Sequence, residues 1–216
     1  MKLEDALARL TGQLPLKPRQ QRLAPELQTM HRSILWSLAT TGKSAGRDEL
    51  QQICGSRDVF ACLQELGAND LIVLDPQTGL PVGAYPLTIE STPHRISMNG
   101  QHLYAMCALD AVSVAPLFQA DVRIDSTCHV SHTPIRIRMQ SENIIEQESD
   151  MDAIVGIRWQ MPGPVAAHSM CMQMVFLQDY DTALAWQAGD EPEVTLFSLP
   201  DAVRFGEAFF LPLLQA

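Results

Sequence analysis

Apolar positions recur at helical spacing over the first third of the chain and at strand-like alternation over much of the remainder. Residues 3–10 make a short amphipathic helical pattern, which the Pro15 to Pro18 stretch is expected to break. A second helix is expected from Pro25, a good first-turn residue, with Leu27, Met30, Ile34, Leu35 and Leu38 spaced along one face up to Gly42. Two shorter helices follow, over Asp48 to Cys54 and over Asp58 to Leu66, the latter ended by Gly67. Leu71 to Leu74 then reads as a strand, Asp75 to Gly79 as a turn, and the residues up to Tyr85 as a returning strand.

From Leu87 onward the pattern turns to strands, over Pro93 to Met98, Gln101 to Tyr104, Asp121 to Cys128, Pro134 to Gln140, Asn143 to Glu148 and Ala153 to Gln160. Asn99-Gly100 joins the first two as a tight hairpin turn does, and Ile135-Arg136-Ile137-Arg138-Met139 alternates as a half-buried antiparallel strand should. Between them, Ala108 to Phe118 is a mostly apolar helix that Pro116 limits or bends. Met161 to Pro164 is a loop, and Ala166 to Leu177 is apolar and fits either a helix or a strand. Asp181 to Ala188 reads as a helix, Val194 to Ser198 as a strand and Asp201 to Leu214 as a closing helix. There is no internal repeat. The predicted class is α+β: an N-terminal three-helix winged-helix-like module, then a mixed, mainly antiparallel sheet core with packed helices. The expected division is 1–23 as an N-terminal helix and linker, 24–86 as the winged-helix-like module and 87–216 as the catalytic core.

Charge weighs against one function that this order suggests. The net charge is −10, and residues 71–216 carry 6 Lys/Arg against 17 Asp/Glu. Such a surface repels phosphate backbones. The would-be recognition helix, Arg57 to Gly67, offers one arginine and two acids, poor equipment for DNA, so no nucleic-acid partner is expected. The chain contains no 18-residue apolar run, and acids stand near Met1 where a signal peptide would carry bases; a cytoplasmic protein with no membrane partner is expected. Five cysteines, Cys54, Cys62, Cys107, Cys128 and Cys171, form an odd set without paired spacing and read as reduced thiols.

Cys54 and Cys62 lie among Ile53, Val59 and Phe60 and read as small core residues. Cys107 differs, because it falls at a strand-to-helix switch with Asp110 three residues on and therefore on one helical face. A helix N-terminus favours a thiolate, a neighbouring carboxylate opposes it, and the pair makes most sense as a proton relay with a partly buried acid. Cys171 sits between Met170 and Met172, either as core filling or as a thiol with soft neighbours. Cys128-His129 with His132 and His168 resembles part of a metal-ligand set, although the spacing is not that of a zinc knuckle and a strand end with a turn explains it as well. Neither a Gly-rich phosphate loop, a Gly-x-Ser-x-Gly elbow nor a His-Glu-x-x-His motif occurs.

With these residues in view the sequence resembles the organomercurial (alkylmercury) lyase family. The likeness rests on the hairpin with Leu103-Tyr104-Ala105, on Cys107-Ala108-Leu109-Asp110, and on Ser126-Thr127-Cys128 before Pro134. It extends through Ser169-Met170-Cys171 with the apolar run to Leu177 and Ala185-Trp186, and through Phe205-Gly206-Glu207-Ala208-Phe209 in the tail. The resemblance implies a lyase that cleaves a carbon–mercury bond by protonolysis, in the setting of mercury resistance. Cys107 and Cys171 would be the mercury-binding cysteines, Asp110 the proton-handling acid beside the metal, and Cys128 a structural cysteine. It further implies no organic cofactor, Hg(II) as bound product, low-molecular-weight thiols for product release and hand-over to a mercuric reductase. Met106 stands where several members carry tryptophan and Met172 where some carry a further cysteine. The competing readings are a non-catalytic soft-metal binder using the same cysteines and a winged-helix metal-responsive regulator.

Overall fold

The computed structural model describes residues 1–147, 152–190 and 193–215. Its first part is helical: α1 (Leu3–Gln13), α2 (Leu16–Arg22), α3 (Pro25–Thr41), α4 (Arg47–Cys54) and α5 (Val59–Ala68). The helix α2 corrects the expectation that Pro15 to Pro18 merely interrupts the chain. Pro15 is its N-cap residue and Pro18 lies in its first turn, where no backbone N–H is needed inside the helix. The helix α3 begins on Pro25 and closes on Gly42 at φ +66, and α5 is capped by Asp58, which accepts from Ala61 N at 2.9 Å.

Next come β1 (Ile72–Leu74) and β2 (Pro81–Ala84), so the order of three helices and a hairpin is present. The hairpin is the edge of the main sheet and not a free-standing wing, because β2 pairs onward with β3 (Leu87–Thr88). The sheet continues through β4 (His94–Met98), β5 (Gln101–Ala105), β6 (Asp121–Thr127), β7 (Pro134–Gln140) and β8 (Asn143–Gln147), in the order β1-β2-β3-β5-β4-β6-β7-β8. Glu148, the last residue of the strand expected from Asn143, lies outside the described residues. All the pairings are antiparallel among the described residues. Asn99 and Gly100 turn the β4–β5 hairpin with φ of +52 and +75, the left-handed pair such a turn requires. Along β6 and β7, Val122, Ile124, Ile135, Ile137 and Met139 face inward, while Arg123 and Asp125 pair outside at 3.0 Å.

A second, three-stranded antiparallel sheet has the order β10 (Met174–Leu177), β9 (Ile154–Arg158), β11 (Val194–Ser198). The ambiguous stretch from Ala166 resolves into neither a helix nor one strand. It makes two 3-10 turns, Ala166–His168 and Met170–Gln173, before entering β10. The remaining helices are α6 (Ala108–Phe118), α7 (Tyr180–Gln187) and α8 (Leu199–Leu214). No helix among the described residues is long and apolar enough to cross a membrane.

The helix α6 occupies the centre: every residue from Ala108 to Leu117 is buried. It packs on α8, on β10 and on β4 to β7, which is why its sequence lacks a polar face. Contact with α8 is close because Gly206 has no side chain; a Cβ there would overlap Ser113 Oγ and approach Leu109 O. We expect Gly206→Ala to destabilise the protein by about 1–3 kcal/mol despite alanine's better helix propensity. Urea unfolding tests this, and a midpoint equal to or above wild type would contradict it.

Candidate active site

The β5–α6 junction delivers two of the candidate residues. Cys107 is the N-cap residue of α6, its sulfur accepting from Asp110 N at 3.3 Å, and Asp110 stands in the first turn on the same side. The second 3-10 turn, Met170–Gln173, delivers Cys171. One ligand atom from each of Cys107, Asp110 and Cys171 lies within 4.8 Å of the others. Residues sixty-four positions apart in the chain, linked in the sequence only by the family resemblance, thus lie together. Asp110, expected to be partly buried, is in fact 1 % exposed, because α6 is enclosed on all sides.

Burial sets the electrostatics. Desolvation raises the Asp110 carboxyl to about 7, although contacts with the Cys107 thiol and backbone and with the Cys171 thiol pull it down. Its Oδ2 is buried with no hydrogen-bond partner. Desolvation likewise raises Cys107 well above its ordinary value, helped by Cys171 and by the Asp110 charge. The helix N-terminus therefore does not make Cys107 a thiolate. Its thiol donates to Met174 Sδ at 3.7 Å. For Cys171, the contact with Cys107 favours the thiolate, but desolvation and the Asp110 and Asp70 carboxylates leave it raised.

A cavity of about 510 Å³ opens beside the cluster. Cys171 lines it with Met106, Met172, Met174 and Phe176, whereas Cys107 and Asp110 are not among its lining residues and sit behind. Gly83 makes room for Met106, since a Cβ there would overlap Met106 Cε. Cys128, His129, His132 and His168 also line this cavity, but among the described residues no ligand cluster joins them. Desolvation pushes Cys128 up, yet hydrogen bonds from Ser131 and from nearby backbone N–H groups leave it below its ordinary value. Cys54 and Cys62 are buried in the helical part, and desolvation raises Cys62 to about 11.

Three features escape the sequence reading. His94 faces the cavity from β4, bonded through Nδ1 to Ser126 Oγ at 2.9 Å and held neutral by burial at about 4. The inward phase of β4 is the signal that places it there. Met174 touches Cys107 across 67 positions of chain, which no local pattern reveals. Asp70 and Tyr85 bond to each other and to the backbone of the Cys171 segment.

Two buried thiols and a carboxyl group lie together beside a cavity lined by methionines, Phe176, histidines and hydroxyl groups, in an α+β fold; two thiols are a donor set that suits a soft metal. The family model described as MerB: Alkylmercury lyase matches residues 87–211. The chain belongs to the alkylmercury lyase family. It is similar to the alkylmercury lyase of Staphylococcus epidermidis, 30 % identical over 135 residues covering 62 % of this chain and 61 % of that one. It is also similar to that of Bacillus cereus, 29 % identical over 182 residues covering 83 % and 80 %. The matched part thus spans about three fifths of the first relative's length. The crystal structure of the mercury-bound form of MerB2 shares the fold, with a TM-score of 0.76 and 23 % identity over 93 % of this chain and 98 % of that one.

The Asp110 value has a consequence for stability. A carboxyl group whose folded value is raised from 3.8 to about 7 binds more protons folded than unfolded. Its contribution is therefore greatest below the unfolded value and falls by about 1.4 kcal/mol per pH unit until pH passes the folded value. Compared with Asp110→Asn, the wild type should lose stability progressively from pH 4 to 7 and then hold a constant difference, read by urea unfolding at each pH. A pH-independent difference would contradict this.

Proposed function

We propose that this chain is an organomercurial lyase, cleaving the carbon–mercury bond by protonolysis to give a hydrocarbon and Hg(II). The observation that carries the reading is a fully buried carboxyl group within 4.8 Å of two thiol sulfurs, where burial raises its pKa toward neutrality. A protein that only stored metal would need the thiols but no proton carrier among them.

Cys171 faces the cavity and is the first ligand: its sulfur bonds the mercury of R–Hg–SR′ as the Hg–SR′ bond breaks, and the departing thiolate R′S⁻ takes the Cys171 proton to leave as R′SH. Cys107, behind it, adds next and gives its proton to Asp110. Two thiolates raise the electron density on the mercury-bound carbon, and Asp110 protonates that carbon as the bond to mercury breaks. R–H departs, Asp110 is again ionised, and Hg(II) stays on Cys107 and Cys171. Met106, Met172 and Met174 give the organic group an apolar, polarisable wall. In this reading residues 87–216 carry the chemistry and 24–86 cover it, with 1–23 as helix and linker. Small thiols and a mercuric reductase take up Hg(II) in the cytoplasm.

The test is incubation with methylmercury or phenylmercury and excess thiol, with methane or benzene measured by gas chromatography. Wild type should release hydrocarbon, and Asp110→Asn should still capture phenylmercury but turn over about 10²–10⁴-fold more slowly. Cys107→Ala should capture without releasing benzene, and Cys171→Ala should lose capture as well. Undiminished turnover in Asp110→Asn would remove the relay. Hg(II) or zinc held by wild type with no hydrocarbon from either substrate would favour the binder.

A further inference from the structure

Cys171 is carried by a segment of two short turns. Ala166–His168 and Met170–Gln173 are single 3-10 turns, and such turns close with poor geometry and few bonds. Ser169 ties the segment together locally, its hydroxyl donating to Val165 O and accepting from Gly163 N, each at 2.9 Å, while the start of the segment is held from elsewhere in the chain. Ala166 N donates to Asp70 Oδ2 at 3.1 Å, and Ala167 N donates to Tyr85 Oη at 2.9 Å. The Tyr85 hydroxyl in turn donates to Asp70 Oδ1 at 2.9 Å, so two successive backbone N–H groups are gripped by a joined pair of side chains. Asp70 also faces Arg19 Nη1 at 3.6 Å.

Both gripping residues stand on rigid ground. Asp70 links α5 to β1 at φ +51, and Tyr85 links β2 to β3 at the edge of the eight-stranded sheet. They are 4 % and 1 % exposed. Burying a carboxylate costs stability unless it is fully bonded, and apolar packing would tie two segments together more cheaply. Apolar packing would not fix two N–H vectors, which sets the direction in which the following turn leaves. That turn places one of two sulfurs that must share a ligand.

We propose that Asp70 and Tyr85 are positioning residues for Cys171, holding its turn so that its sulfur stays within shared-ligand reach of Cys107. This rests on the two-thiol reading above and gives the N-terminal part of the chain a role in the site. Neither residue touches the reacting atoms. Groups that orient a metal ligand typically affect metal affinity 10–100-fold when removed, because the second ligand then binds at a lower effective concentration.

The experiment is Hg(II) affinity of the full chain, by competition with graded glutathione, for wild type, Tyr85→Phe, Asp70→Asn, Cys171→Ala and Leu50→Ala. Tyr85→Phe keeps the ring and loses the hydroxyl, and Asp70→Asn keeps the shape. Leu50, buried in α4 away from the cavity, controls for general loss of stability. Tyr85→Phe should lower affinity about 10–100-fold, with Asp70→Asn lower than wild type and both above Cys171→Ala. Hydrocarbon release by Tyr85→Phe should fall in kcat with KM little changed, because Cys171 keeps its thiol for capture but is no longer held where Cys107 can add to the same mercury. Affinity in Tyr85→Phe and Asp70→Asn within about two-fold of wild type would overturn the assignment, given the 10–100-fold such groups otherwise contribute. An equal fall in Leu50→Ala would overturn it too, by showing that stability and not position is read. If wild type held Hg(II) no more tightly than Cys171→Ala, the two-thiol site itself would be lost, and positioning with it.

Discussion

Desolvation of Asp110 is the constraint on which the rest of the structure depends. A carboxyl group can both take up and give back a proton near pH 7 when water is removed and no cation replaces it. That demands a helix enclosed on every side, and α6 is so enclosed, between the main sheet, β10 and α8. The close approach of α8 at Gly206 is part of the same seal. The unpartnered Oδ2 is its cost, a buried acceptor that the surrounding apolar packing must offset. The large core of this chain is therefore what lets a carboxyl group beside two thiols exchange its proton near neutral pH.

How much of this is written in the sequence depends on the range of the interaction. Alternation along Ile135 to Met139 and the Asn99-Gly100 pair fix β7 and the β4–β5 hairpin, because strand phase and turn chemistry are local properties. The three-residue spacing of Cys107 and Asp110 places both on one face of α6 for the same reason. Cys171 is different: nothing near it in the chain says that it meets Cys107, and the likeness to a known family is what links them. Two misreadings also have physical causes. Pro18 is a breaker inside a helix but harmless in a first turn, so α2 escapes a reading that treats proline as punctuation. The apolar run from Ala166 has no period because 3-10 turns impose neither the helical nor the strand repeat.

The same distinction explains why the Asp70 and Tyr85 contacts are invisible in sequence. Each looks like an ordinary turn residue beside a short strand, and the proposed function lies in backbone N–H groups 96 and 82 positions away. A side chain that bonds to a distant backbone leaves no composition signal, since any residue could supply the N–H. Helices α2 and α5 and the edge hairpin thereby act on the site through one buried cluster, which is a stronger tie than covering it.

Cys107 and Cys128 show what kind of thiol this chemistry calls for. Cys128 has the feature usually sought in a reactive cysteine, a turn of N–H groups that lowers its pKa, and it lines the cavity. Cys107 has the opposite, a thiol held protonated by burial and by a carboxylate. For a nucleophile attacking carbon, Cys128 would be the better candidate. A carbon–mercury bond needs something else: the soft metal displaces thiol protons whatever their pKa, and the carbon then needs a proton of its own. A thiol that keeps its proton until the metal arrives, and has a neutral-range acid beside it to receive that proton, brings reagent and signal together. Cys128, for all its lowered pKa, has no carboxyl group beside it to carry a proton to carbon, which is why the proposed mechanism is built on Cys107, Asp110 and Cys171 rather than on the more acidic thiol.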